Sequence, residues 1–125
     1  MLLSIMIRFY KLFENNINTY LMFKNNNIIG NLKLYNGDSR AIITDFTISK
    51  NMRNLGYGTK FLNFIENHEV KYDDIYINLW SLDRCYFNYY SYFNKRGYNP
   101  ISYSKLEIND NGDNIYYNLN LVKNK

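Results

Sequence analysis

The periodicity of this chain changes at residues 53–59, and that change limits the folds open to it. Upstream, Ser4–Leu12, Thr19–Lys24, Ile28–Tyr35 and Ala41–Ser49 are runs of strand length, rich in β-branched and aromatic residues. Asn-rich breaks separate them: Asn25-Asn26-Asn27 reads as a turn, and Asn36-Gly37-Asp38 is a strong hairpin signal. Four strands so connected form an antiparallel meander. Downstream, Leu62 and Ile65 recur at helical spacing within Thr59–Glu69, with Phe61 and Phe64 beside that stripe. Ile75, Ile77 and Leu79 then alternate with Tyr76, Asn78 and Trp80, the signature of a strand with two distinct faces.

A second helix is expected over Asp83–Arg96, with Asp83 as its cap, Lys95 and Arg96 at its negative end and Gly97 as its stop. Pro100 separates it from a closing hairpin, Ser102–Ile108 and Ile115–Val122, turned at Asn111-Gly112. A meander followed by strand, helix, strand and helix predicts a mixed α/β sheet. No internal repeat or linker interrupts it, so residues 1–125 are read as a single domain.

The switch itself reads Arg53-Asn-Leu-Gly-Tyr-Gly-Thr59. Gly56 and Gly58 carry no Cβ, so the backbone there bends sharply and approaches a ligand closely. A turn of this kind at the start of a helix aims several unpaired N–H groups at one spot. That is an anion site, and a phosphate-bearing cofactor is its natural occupant.

Composition narrows the alternatives. At 125 residues, 46% apolar and 18% aromatic, the chain buries a core without disulfides or metals. Cys85 is alone, which excludes a disulfide framework and fits a reducing, cytoplasmic setting. His68 is alone too, so no metal site is expected. No apolar run approaches the ~20 residues that cross a bilayer, and Met1–Ile7 is read as part of a first strand. The net charge of +4 is spread along the chain, a mild attraction for anions.

Motif and element order together resemble the GNAT superfamily of N-acetyltransferases. That family carries Arg/Gln-x-x-Gly-x-Gly/Ala between its fourth strand and the next helix, and Arg53, Gly56 and Gly58 match it. Its fourth strand typically reads acidic-Leu-x-Val, about four residues before that motif, and Asp45-Phe46-Thr47-Ile48 stands at this spacing. Its later helix ends in aromatic-Tyr-x-x-x-Gly-Phe, to which Tyr92-Phe93-Asn94-Lys95-Arg96-Gly97-Tyr98 is close but not identical. The resemblance spans about residues 19–122. It implies a mostly antiparallel mixed sheet with the fourth and fifth strands splayed.

The resemblance also implies a chemistry. Acetyl-CoA is the donor, and the main chain of Arg53, Asn54, Leu55, Gly56, Tyr57, Gly58 and Thr59 cradles its pyrophosphate. Arg53 is placed either to touch phosphate or to brace the loop. Phe46 and Ile48 run beside the pantetheine arm, and the Phe46 N–H polarises the acetyl carbonyl and stabilises the oxyanion. An amine attacks the thioester directly, so Cys85 is not needed as a nucleophile. Asp45 is the candidate base, on a strand otherwise built of Ile42, Ile43, Phe46 and Ile48. The leaving thiolate usually takes a proton from a helix tyrosine, but Phe93 occupies that position. Tyr86, Tyr89 and Tyr92 are the substitutes, although Tyr86, Tyr89 and Phe93 also fit a packing stripe. The family's asparagine early in this helix has no clear counterpart, and Leu79–Phe93 is longer than usual.

Two helices usually stand between the family's first and second strands and shape the acceptor site. Here only Phe13–Asn18 is available, a reduced N-terminal helical region. The acceptor side is therefore expected to be open or completed by another chain, as in a homodimer, and to suit a protein or peptide amine. Two other readings stand beside this one. The first is a CoA-binding module that has lost catalysis, favoured by Phe93. The second is a small basic nucleic-acid binder using its 14 tyrosines as stacking surfaces, although Lys and Arg do not cluster around them.

Overall fold

The computed structural model describes residues 5–82, 86–108 and 114–124, with side chains over 5–80, 88–102 and 118–124. Seven strands form one sheet: β1 (Ile7–Glu14), β2 (Ile17–Lys24), β3 (Asn27–Asn36), β4 (Ala41–Ile48), β5 (Asp74–Leu82), β6 (Asn99–Ile108) and β7 (Asn114–Asn124). Helix α1 (Tyr57–Phe64) joins β4 to β5, and α2 (Tyr86–Asn94) joins β5 to β6. The strand order is β1-β2-β3-β4-β5-β7-β6, antiparallel throughout except for the β4–β5 pair. The expected mixed α/β architecture is therefore present.

The first four strands are the predicted meander with shifted limits. β1 begins at Ile7 and runs to Glu14, where the sequence suggested Ser4–Leu12. Its partner starts at once: Glu14 pairs with Ile17, so Asn15 and Asn16 alone make the turn, with Asn15 at φ 57°. Asparagine tolerates that left-handed conformation, which a two-residue hairpin demands. A tight hairpin thus stands where two helices were absent from the sequence.

One break in regularity positions the site. Lys33 pairs with Asp45 and Leu34 with Ile43, so Thr44 is an extra residue in β4. Such a bulge bends and twists the strand that carries it. β4 and β5 pair in parallel only at Ala41/Ile75, Ile42/Tyr76 and Ile43/Ile77. The bulge follows the last of these pairs, and β4 leaves its neighbour there. This is the expected splay, with a local cause.

The core lies on one face of the sheet. Leu32, Leu34, Ile43, Ile75, Ile77 and Leu121 point there, and Phe61 and Leu62 of α1, with Ile65 just after it, come down to meet them. Phe46 touches Phe61 of α1 and Phe93 of α2 at centroid distances of 6.0 Å each, so both helices share this face. The opposite face carries Tyr10, Leu12 and Trp80, each at least half exposed, and no described element covers it.

After Phe64 the helix widens into a π turn, Ile65–Glu69, closed by the Val70 N–H on the Ile65 carbonyl at 3.1 Å. Its two carboxylates tie it to opposite ends of the sheet. Glu66 receives Lys123 of β7 at 2.9 Å on both oxygens, and Glu69 pairs with Lys11 of β1 at 3.5 Å.

Helix α2 ends at Gly97 as expected, at φ +93°. The Gly97 N–H bonds the Asn94 carbonyl and the Tyr98 N–H bonds the Phe93 carbonyl, both at 3.1 Å. These are the two hydrogen bonds of a Schellman closure. Pro100 does not separate helix from strand; it lies inside β6, beside a register shift between Pro100 and Ser102. β6 is an edge strand, where a residue without an N–H is tolerated. Asp83, Cys85 and the Asn111-Gly112 turn lie outside the described residues.

Candidate functional site

Between β4 and α1 the chain makes a short 3-10 turn, Lys50–Met52, and then reverses twice, with Asn54 at φ 63° and Gly56 at φ 87°. Gly56 is the N-cap of α1. Helix α1 starts at Tyr57, two residues before the expected Thr59, so Gly58 is helical and only Gly56 serves the turn. The first intrahelical bond runs from the Lys60 N–H to the Gly56 carbonyl at 3.1 Å. The N–H groups of Tyr57, Gly58 and Thr59 precede it and have no acceptor within the helix. They carry the positive end of its dipole.

The two glycines differ in what surrounds them. A Cβ on Gly56 would meet nothing within 4 Å, so the loop opens directly on free space. A Cβ on Gly58 would stand 3.0 Å from the Tyr92 hydroxyl and 3.7 Å from the Phe46 ring. Gly58 is where α1, α2 and β4 converge.

A cleft of about 810 Å3 runs through this convergence. β4 lines it with Phe46, Thr47 and Ile48, beyond the last β4–β5 pair. The loop and α1 contribute Arg53, Asn54, Gly56, Gly58 and Thr59. Helix α2 contributes Asn88, Tyr89, Ser91, Tyr92 and Phe93, followed by Lys95 and Arg96. One end therefore offers backbone donors and cations, and the other offers a β4 edge that has lost its β5 partner, between aromatic rings.

Most of the residues singled out from sequence are gathered here, and several are not. Arg53 donates from Nε to the Ile48 carbonyl at 2.9 Å, which braces the loop against β4. Leu55 is 62% exposed and Tyr57 lies under the Lys24 ammonium, so neither side chain lines the cleft. Phe93 reaches the wall but is 2% exposed, packed on Phe46 and Tyr98. Tyr89 is exposed to the cleft and has no hydrogen-bond partner among the described residues. The imagined Tyr86–Tyr89–Phe93 packing stripe is thus broken at Tyr89, while the Tyr86 side chain lies outside the described residues.

Asp45 departs most from expectation. It pairs with Lys33 at 3.6 Å on the bare face, more than half exposed, and does not line the cleft. Strand alternation explains this, because Phe46 points at the helices and its neighbour must point away. The apolar surroundings suggested by Ile43 and Phe46 belong to the other face.

Sequence reasoning missed Arg96 as a site residue, reading it only as a helix-end charge. Its guanidinium carbon lies over the Tyr92 ring, 3.6 Å from the centroid, and Nη2 reaches Thr59. The signal was available in its spacing: residues four apart share a helix face, and Tyr92 was already a candidate. No group of three or more His, Cys, Asp or Glu that could hold a metal occurs among the described residues. No helix there is long and apolar enough to cross a membrane.

The architecture is a GNAT-like fold. A GNAT family acetyltransferase from Elizabethkingia anophelis with acetyl-CoA bound superposes with a TM-score of 0.72 at 18% identity, covering 95% of this chain and 98% of that one. A Bacillus subtilis acetyltransferase in complex with CoA gives 0.71 at 14% identity, covering 96% and 99%. The ribosomal-protein-S18-alanine N-acetyltransferase of Escherichia coli gives 0.68 at 9% identity, covering 89% and 70%. No protein-family model and no curated protein matches the sequence.

Proposed function

We propose that this protein is an acetyl-CoA-dependent N-acetyltransferase acting on a primary amine. The observation that carries the reading is the continuity of the cleft. It joins the unpaired N–H groups of α1 to the stretch of β4 that has left β5. Phosphate suits the first end, and an extended amide-bearing arm suits the second, where strand backbone is free to pair. Fold neighbours with acetyl-CoA or CoA bound support this reading.

The residues present fit that ligand, since Gly56 leaves open space directly in front of the unpaired N–H groups of α1. When bound, acetyl-CoA supplies an acyl group already activated as a thioester. The N–H groups of Tyr57, Gly58 and Thr59 would hold phosphate oxygen, with Arg53 keeping the loop on β4 through the Ile48 carbonyl. The main chain of Phe46 and the N–H of Ile48 would lie along the arm, and the Phe46 N–H would donate to the acyl oxygen. Tyr89 Oη is a tyrosine hydroxyl on the cleft with no hydrogen-bond partner among the described residues, and it serves as proton donor. Asp45 faces away, so water takes the proton from the attacking amine.

The β1–β2 hairpin and the bare sheet face leave the acceptor side open. A protein or peptide amine is the class that fits, and peptide amines are expected to outperform small polyamines as acceptors.

A second reading is a CoA-binding module without turnover. Phe93 is buried where the resemblance calls for a tyrosine, and Tyr92 Oη already sits 3.3 Å from Thr59 Oγ1. Calorimetric titration with acetyl-CoA, followed by thiol release in the presence of peptide amines, separates the two. Wild type binds, Gly56→Glu does not because its carboxylate meets the phosphates, and Gly56→Asn keeps binding. Binding with no thiol release favours the module, and no binding by wild type overturns both.

A further inference from the structure

Arg96 is held more firmly than a helix-end cation needs to be. Nε and Nη2 both donate to Thr59 Oγ1, at 3.0 and 2.6 Å, and Nη1 donates to the Tyr92 carbonyl at 2.7 Å. The guanidinium carbon also lies over the Tyr92 ring. A guanidinium has five N–H groups. Three are used here, which leaves one on each Nη. That pair matches two oxygens of one phosphate.

The position of this charge matters as much as its geometry. Thr59 is the third residue of α1, so the cation is pinned at the positive end of a helix dipole, where an anion is favoured and a cation is not. Among the described residues no carboxylate lies within ion-pair distance of Arg96. The side chain lines the same cleft as Gly56 and Gly58. A fixed cation with no carboxylate in reach, beside unpaired N–H groups, makes this part of the cleft favourable to an anion.

We infer that Arg96 is a phosphate-binding residue whose free Nη edge grips the diphosphate of the CoA moiety from the α2 side, opposite the N–H groups of α1. The inference rests on the proposed CoA-binding reading and adds to it a second wall of the phosphate site. Thr59 then has two roles: its N–H faces the ligand, and its hydroxyl orients the arginine that closes over it. Because the fork is already locked, binding loses little side-chain freedom. Lysine, a point charge with no fork, cannot reproduce the arrangement.

The test is calorimetric titration of CoA and of 3′-dephospho-CoA into wild type, Arg96→Lys, Thr59→Val and Lys95→Gln, with circular dichroism melts to confirm folding. Lys95 is an exposed cation on the same cleft and serves as the control for a general field. The expected result for Arg96→Lys is a loss of about tenfold in affinity, equal for both ligands, because charge is kept and the bidentate contact is lost. Thr59→Val frees the guanidinium without altering charge and gives a loss in the same direction even if Arg96→Lys does not fold. Lys95→Gln changes affinity much less. Wild-type affinity in Arg96→Lys, or equal losses in Arg96→Lys and Lys95→Gln, overturns the assignment. A loss seen with CoA but not with dephospho-CoA moves the contact to the 3′-phosphate and overturns the diphosphate assignment. If wild type binds neither ligand, the CoA reading itself has failed.

Discussion

The hydroxyl of Tyr92 stands 3.0 Å from the point where a Cβ on Gly58 would lie. The contact couples the first turn of α1 to α2, because the same hydroxyl is 3.3 Å from Thr59 Oγ1 and the same ring carries Arg96. Gly58→Ala must displace Tyr92 by a few tenths of an ångström. Alanine is up to about 1 kcal/mol better than glycine in a helix, so stability offsets the strain and Tm moves by less than about 4 °C. Affinity for CoA falls, since Tyr92, Thr59 and Arg96 shift together. A thermal melt beside a CoA titration checks both halves, and unchanged affinity would mean that the contact has no bearing on the site.

Gly56 separates conformation from crowding. Its φ of +87° is strained for any L side chain, while nothing lies within 4 Å of its Cβ position. Gly56→Ala is expected to cost about 1–2 kcal/mol through backbone strain alone. Gly56→Asn costs less, because asparagine visits that region more readily, as Asn54 does one turn earlier at φ 63°. Urea denaturation of the two variants supplies the comparison. Equal losses would place the cost somewhere other than φ.

The Glu66–Lys123 pair joins the π turn to β7 with Glu66 at 5% exposure. Lys123→Met leaves a buried carboxylate without its cation and is expected to destabilise by about 3 kcal/mol. Glu66→Gln in the same chain removes the stranded charge and recovers part of the loss. Chemical denaturation of both variants tests this. If the double variant is no more stable than the single one, Lys123 acts through packing against Gly97 and not through charge.

Tyr98 is fully buried, and its hydroxyl has no hydrogen-bond partner among the described residues. Burial, then the Glu66 carboxylate and Tyr92, holds its phenol above the ordinary tyrosine range. The unfolded phenol loses its proton near pH ~10 while the folded one keeps it, so the folded state binds more protons above that pH. Stability is therefore fully present below pH ~10 and declines as pH rises further. Tyr98→Phe removes an unpaired buried hydroxyl, is expected to stabilise by about 1 kcal/mol, and flattens that alkaline decline. Denaturation midpoints measured from pH 8 to pH 11 would show it.

Much of this fold was legible because its signals are local. Asn36-Gly37-Asp38, the alternation from Ile75 to Trp80 and the stop at Gly97 each act through backbone conformation or a period of two residues. Pro100 misled, since proline breaks a helix or an inner strand but is harmless on an edge, and edge position is a property of the sheet. Asp45 misled for a related reason. Its apolar neighbours were correctly identified, but a strand sends consecutive residues to opposite faces. Only the packing of α1 and α2 on one side decided which face was wet.

The sequence by itself determined the order of elements and the glycine-bearing turn at the head of α1, because propensity and turn chemistry are written residue by residue. The tertiary structure decided that β4 leaves β5 after Ile43, since a bulge at Thr44 exists only against a partner strand. It also decided that Arg96 crosses from the end of α2 to Thr59, a contact 37 residues apart in the chain that no local pattern specifies. Strand pairing and helix docking bring such groups together, and their geometry follows from packing across the whole sheet.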